Sequence, residues 1–212
     1  VASDERLFAG LGRPRCGRLD ITSAPPFEHI KPTTSSPTTC GTSGRTQGLF
    51  GQTDGTVVNH KGAILSTEDG AVEHLTCMVK GYVATTDDGT AVGRTDDGKV
   101  CWSSKGTPIS VQTEAMEHDG ASLLWLARDE GVSSIVDVWA TNKGGKMASG
   151  SFAKVRAMHG THERMVLGCE DGSVMVWDRE MLHRRMESTA PSQDTDERTS
   201  ALQAKLRALR RT

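Results

Sequence analysis

Short apolar runs separated by polar turns recur along most of the chain. The runs have the length of a β-strand, and the segments between them are rich in Gly, Asp, Ser and Thr. An acidic-Gly turn between two such runs occurs four times, and its glycines are Gly55, Gly89, Gly131 and Gly172. This arrangement favours a tight hairpin, because Gly adopts the left-handed backbone of the turn at little cost. The pattern therefore predicts four β-hairpins in an all-β fold.

The hairpins recur at a nearly constant interval. Successive turn glycines lie 34, 42 and 41 residues apart, so the period is near 40 residues rather than the 20 to 29 of leucine-rich repeats. In a repeat unit of four strands, here called a blade, each hairpin would supply the two middle strands. The strands predicted around the hairpins are 32–44 (containing the first strand of the second blade), 72–79, 99–102, 109–112, 146–148, 154–158 and 180–183. Residues 6–10 and 18–21 are predicted as the second and third strands of a first blade that lacks its first strand.

The last hairpin resembles the closing half of a WD40 repeat. Its sequence over residues 167–178 is LGCEDGSVMVWD, which ends in the Trp-Asp pair. The middle copies depart from that pattern, since Ala140 follows Trp139 in place of Asp and Arg94 stands in place of the Trp. The resemblance implies a WD40-like β-propeller of about five blades over residues 1–187, with a short C-terminal α-helix. Kelch repeats, with a period near 50, fit less well.

Five blades are fewer than the seven with which WD40 rings usually close. An open arc would leave strand edges and blade faces exposed. We therefore expect that the chain is a piece of a longer protein, that segments are missing from it, or that a partner supplies the missing blades. A self-closed ring of five blades is the alternative.

The composition changes after residue 187. Residues 188–193 are predicted as a linker, and residues 194–212 as a basic amphipathic helix with Leu202, Leu206 and Leu209 on one face. This helix packs its leucines on the propeller, or it docks on an acidic protein, RNA phosphates or a membrane surface. The candidate partner-binding residues are Lys205, Arg207, Arg210 and Arg211.

No arrangement of residues typical of catalysis or metal binding is found. The seven His are scattered, and the acidic pairs before Gly89 and Gly98 are adjacent rather than alternate, which indicates turns and not a calcium loop. No phosphate-binding glycine loop and no nucleophile elbow occur. Five isolated cysteines indicate reduced thiols in the cytoplasm or another reducing intracellular compartment. We expect no enzyme activity, no cofactor, no metal and no small-molecule substrate, and no apolar run is long enough for a transmembrane segment.

Charge is nearly balanced, with 25 Lys and Arg against 27 Asp and Glu, so the whole chain has no electrostatic preference for nucleic acid. The sequence predicts a non-catalytic protein-protein interaction scaffold, a propeller subunit or domain of a larger multiprotein assembly whose partners are other proteins. The alternative is a regulatory or targeting propeller domain of a larger enzyme, or a ribonucleoprotein subunit that contacts RNA through its basic C-terminal tail.

Overall fold

The computed structural model describes residues 5–10, 15–20, 24, 27–30, 34–43, 48–141 and 144–189. Within these residues the chain forms eighteen β-strands followed by one α-helix. The strands are arranged in five antiparallel sheets, and each sheet is built from consecutive strands. We call the sheets blades 1 to 5 in chain order.

Three of the blades have four strands and two have three. Blade 1 contains β1 (Glu5–Gly10), β2 (Arg15–Asp20) and β3 (Phe27–Ile30). Blade 2 contains β4 (Thr38–Ser43), β5 (Gly48–Gln52), β6 (Thr56–Asn59) and β7 (Ile64–Thr67). Blade 3 contains β8 (Val72–Cys77), β9 (Tyr82–Thr86), β10 (Ala91–Arg94) and β11 (Val100–Ser104). Blade 4 contains β12 (Ile109–His118), β13 (Ala121–Asp129), β14 (Ser133–Ala140) and β15 (Gly145–Ala153). Blade 5 contains β16 (Val155–Gly160), β17 (Arg164–Cys169) and β18 (Val174–Asp178).

The four predicted hairpins are confirmed. Each joins the second and third strand of a blade, and φ is +84° at Gly55, +82° at Gly89, +82° at Gly131 and +83° at Gly172. These values lie in the left-handed region that favours glycine. The acidic-Gly spacing in the sequence therefore marks the same turn in four successive blades.

Alternate side chains of the second strands fill the cores between blades. In β13, Leu123 and Trp125 pack with Met165 of blade 5, whereas Leu124 and Leu126 face blade 3. Successive side chains of a strand point to opposite faces, so a strand between two blades must be apolar on both. This explains the continuous apolar run in β13, which is buried from Ala121 to Arg128.

The tryptophans pack between blades. Trp102 of β11 stacks on Trp139 of β14, with ring centroids 5.5 Å apart and planes 6° from parallel. Trp125 of blade 4 meets Trp177 of blade 5 edge-on at 6.4 Å. Such pairs add to the burial of apolar surface where two blades meet.

The strand predicted at residues 180–183 is wrong, because this segment lies in helix α1 (Arg179–Thr189). The Asp178 side chain accepts a hydrogen bond from the backbone N–H of Met181 at 2.8 Å, which is an N-cap interaction. Leu182 is buried in the core between blades 4 and 5. The helix includes residues 188 and 189 of the predicted linker. The remainder of that linker and the predicted helix at 194–212 lie outside the described residues.

Candidate interaction surfaces

A buried hydrogen-bond network holds blade 3 against blade 2. Arg94 of β10 donates to both carboxylate oxygens of Glu68, at 2.7 and 2.9 Å, and the Glu68 side chain is only 4% exposed. Glu68 also accepts a hydrogen bond from the Ser66 hydroxyl, which in turn accepts one from Tyr82. The hydrogen bonds to Glu68 raise the pKa of Arg94, and burial raises the pKa of Tyr82. The network fixes the connector after β7 beside the first turn, where the Glu68 N–H donates to the Gly55 carbonyl.

A buried arginine, Arg128, joins blade 4 to blade 3. Arg128 of β13 donates to the carboxylate of Asp137 at 3.2 Å. It also donates to the carbonyls of Gly89 and Thr107, each at 3.0 Å. Both side chains of the ion pair are about 5% exposed. Arg128 therefore holds two segments against the buried strands of blade 4: the turn of blade 3 that contains Gly89, and the connector that enters blade 4.

Backbone hydrogen bonds also hold each turn against its own blade. In every case the N–H of the residue that ends the second strand or directly follows it donates to a carbonyl of the connector that enters the same blade, over 2.8 to 3.0 Å. The donor residues are Thr53, Asp87, Asp129 and Glu170. The acceptors are Pro37, Ala71, Pro108 and Lys154. The four turns and their connectors thus form one end of the blades, which we call the turn face.

The turn face is strongly acidic. Its exposed acidic side chains are Asp54, Asp69, Asp87, Asp88, Glu130, Glu170 and Asp171. Among the described residues, the basic side chains near them form ion pairs, Lys105 with Asp88 at 2.9 Å, Lys154 with Asp129 at 3.0 Å and Arg156 with Glu170 at 2.9 Å. The acidic groups outnumber these basic groups, so the face retains a negative potential.

Several of the acids are held in their charged form by local hydrogen bonds. Lys105 and the hydroxyl of Thr86 lower the pKa of Asp88 well below its usual range. Hydrogen bonds from Ser173 lower the pKa of Asp171, and Lys154 lowers the pKa of Asp129. The negative potential of the turn face therefore persists at every pH near neutrality.

The opposite end of the blades has mixed charge and contains a pair of histidines. Nδ1 of His118, at the end of β12, lies 3.2 Å from Nε2 of His183 in α1. The rings meet edge-on with centroids 4.6 Å apart, and Asp119 lies 3.4 Å from the other nitrogen of His118. These contacts help hold α1 against blade 4.

The described residues contain no group of three or more His, Cys, Asp or Glu side chains able to hold a metal ion. Burial raises the pKa of the Cys40 and Cys77 thiols to about 11, which makes them poor nucleophiles at neutral pH. Cys40, Cys77, Cys101 and Cys169 are free thiols. No helix within the described part of the chain could cross a membrane.

The site residues predicted from sequence, Lys205, Arg207, Arg210 and Arg211, lie outside the described residues. The acidic turn face was not anticipated as a surface, although each of its turns was. The acidic face could have been predicted from one feature of the sequence. Each of the four turns between a second and a third strand contains an acidic residue or directly follows one. Once the turns are aligned at one end of the blades, their charges add.

The fold and its surfaces define an arc of β-propeller blades with one acidic end. No protein-family model matches the sequence, and no curated protein sequence matches it. The structure is similar to the computationally designed Ika8 protein, with a TM-score of 0.66 and 18% identity over 84% of this chain and 56% of that one.

The structure is also similar to those of natural proteins, again at low sequence identity. A chain in the mitotic checkpoint complex gives a TM-score of 0.63 and 12% identity over 82% of this chain and 59% of that one. The WD40 β-propeller domain of Doa1 gives a TM-score of 0.60 and 14% identity over 84% of this chain and 62% of that one. The chain therefore spans less than two thirds of the length of these three proteins. At such identities the similarity establishes the propeller fold.

Proposed function

We propose that this chain is a non-catalytic scaffold of a multiprotein assembly and that its acidic turn face binds basic segments of partner proteins. The observation that carries the proposal is the turn face itself. Four successive blades present their acids at one end, and hydrogen bonds fix each turn to its blade. A preorganised surface loses little conformational entropy when a partner binds, so more of the electrostatic attraction appears as affinity.

The sign of the charge favours protein partners for this face. A phosphate backbone would be repelled by its excess of carboxylates, whereas Lys and Arg side chains of a protein would be attracted. The similar chain in the mitotic checkpoint complex belongs to a protein assembly, which supports the same class of role. The alternative of RNA binding through the basic C-terminal tail stays a prediction.

The test is a comparison of proteins that copurify with two charge variants of the tagged chain. The first variant carries Asp69→Asn, Asp87→Asn, Glu130→Gln and Asp171→Asn on the turn face. The control carries Asp96→Asn, Asp97→Asn, Asp119→Asn and Glu163→Gln at the opposite end, which changes net charge by the same amount. Amide side chains preserve the size and the hydrogen-bond acceptor of each acid.

We expect the turn-face variant to lose its partners, measured by quantitative mass spectrometry, while the control retains them. Binding should also weaken as salt increases, because the attraction is between exposed charges. Equal recovery of partners with both variants would contradict the proposal, as would copurification of RNA in place of proteins.

A further inference from the structure

The edge of blade 5 beyond β18 is unpaired among the described residues. In blades 2, 3 and 4 a fourth strand pairs with the third, and helix α1 follows β18 in place of that strand. Two hydrogen bonds show which residues of β18 bond to β17. The Cys169 N–H donates to the Ser173 carbonyl, and the Arg179 N–H donates to the Glu163 carbonyl. Hydrogen-bonded and non-bonded pairs alternate between these two points, so Met175 and Trp177 are the residues whose backbone groups bond to β17. The backbone groups of Val174 and Val176 therefore point away from β17.

The β18 strand is regular. Its ladder with β17 has no register shift, and the ladders between second and third strands of blades 2, 3 and 4 have none either. In those three blades the register shifts where the fourth strand pairs with the third, after Val57, Gly93 and Val138. Bulges, Pro and charged side chains, above all Lys, are the usual means by which an edge strand avoids pairing with another strand. The β18 sequence Val-Met-Val-Trp-Asp has no bulge, Lys or Pro, and its one charged residue is Asp178 at the end of the strand.

The side chains on one face of β18 are also uncovered. Met175 and Trp177 pack toward blade 4, so Val174 and Val176 point to the other face of the sheet. Their side chains are 66% and 54% exposed. Two adjacent exposed valines on a regular strand edge form an apolar surface beside a row of unpaired backbone groups.

The edge is complementary to a second copy of itself. If two β18 strands pair antiparallel about a two-fold axis at Val176, each Val176 lies opposite its own copy. Val174 then lies opposite Asp178 of the other copy, and Met175 lies opposite Trp177. Directly opposite residues keep to the same face of the sheet in this register, and no like charges meet. The outward N–H and C=O of Val176 form two hydrogen bonds across the axis.

We propose that two copies of this chain associate through β18, forming a continuous sheet of six strands across a two-fold axis. We take the occupant of the edge to be a second copy of β18. In this one register no like charges lie opposite each other, the side chains of both strands keep to matching faces of the sheet, and the outward N–H and C=O groups of Val176 are paired. An isologous contact of this kind closes after two copies and does not propagate. The contact uses the edge of β18, whereas the proposed binding of basic partners uses the acidic side chains of the turn face.

Sedimentation equilibrium of the purified chain from about 1 to about 500 µM tests the proposal. The unaltered chain should show a reversible monomer-dimer equilibrium. Val176→Lys and Val176→Glu should each be monomeric, because each places like charges opposite one another. An equimolar mixture of the two variants should dimerise again. Val79→Lys is the control, since Val79 is 59% exposed between β8 and β9, away from β18 and from the turn face, and it should leave the equilibrium unchanged.

A second pair of variants separates backbone pairing from charge. Val176→Pro removes an N–H that makes no bond to β17, and it should abolish the dimer without unfolding the monomer. Val176→Thr keeps the N–H and the branched shape, and it should dimerise. A chain that is monomeric at every concentration would overturn the proposal. So would a dimer that persists in Val176→Lys, or a mixture of the charge variants that stays monomeric.

Discussion

Replacing Arg128 by methionine removes an ion pair within blade 4 and the hydrogen bonds that join this arginine to blade 3. Methionine is similar in length and fits an apolar core, so the change removes charge and hydrogen bonds more than volume. Asp137 loses its partner at 3.2 Å and keeps the Ser149 hydroxyl at 2.7 Å and Lys146 at 3.4 Å. The carbonyls of Gly89 and Thr107 lose the donor they share.

The size of the effect follows from burial. Removing one partner of a buried ion pair costs about 3 to 5 kcal/mol when the other charge remains buried without compensation. Because Asp137 keeps Ser149 and Lys146 as partners, we expect a loss at the lower end, about 3 kcal/mol. In a domain of this size that corresponds to a fall in Tm of roughly 6 to 12 °C. Arg156→Met provides a matched control, since Arg156 and its partner Glu170 are both more than half exposed. Breaking such a surface pair costs less than about 1 kcal/mol.

The measurement is urea denaturation of both variants, followed by far-ultraviolet circular dichroism. Arg128→Met should shift the midpoint to much lower urea, and Arg156→Met should leave it nearly unchanged. In the double variant with Asp137→Leu the loss should be smaller than the sum of the two single losses, because the removed groups are partners. Equal stability of Arg128→Met and Arg156→Met would refute the role assigned to Arg128.

Three further predictions concern the turns, the acids and the thiols. Gly89→Ala should destabilise the fold by more than Gly172→Ala, although both have φ near +83°, because a Cβ at Gly89 would lie 2.2 Å from a backbone oxygen and one at Gly172 has nothing within 4 Å; thermal denaturation measures the difference. The pKa of the Asp88 carboxyl is lowered in the folded chain. The stabilisation of the fold by the ionised carboxylate is therefore complete above the ordinary carboxyl pKa, near pH 4, and is lost as the pH falls below that value. Asp88→Asn should therefore reduce the dependence of stability on pH in acid titrations, and an unchanged dependence would contradict this. Iodoacetamide at neutral pH should label the exposed Cys101 well before Cys40, whose thiol pKa is about 11, and peptide mass spectrometry that finds equal labelling would contradict the burial of Cys40.

The parts of the fold predicted from sequence are those that local chemistry determines. Each acidic-Gly turn needs a left-handed residue at one position, and glycine supplies it. The apolar run around Trp125 has the length of a strand, and the structure places it in β13 between two blades. These features depend on residues close together in the chain.

The features that sequence reasoning missed depend on distant residues or on competing local signals. Asp178 closes a WD40-like strand and also caps α1, and the cap prevails where a fourth strand was predicted. Arg94 and Glu68 are 26 residues apart and meet only when blades 2 and 3 pack. The acidic turn face exists only once the blades are stacked with their turns at one end, so no single segment of sequence reveals it.

Amide hydrogen exchange of the turn face tests the central claim that its turns are rigidly held by the propeller. The amides of Thr53, Asp87, Asp129 and Glu170 each donate to a connector carbonyl. All four should exchange slowly, with protection close to that of the buried strands, although they lie beside exposed acids. Fast exchange at these amides, with protection confined to the strands, would mean that the turns move independently and would contradict the account of a preorganised binding face.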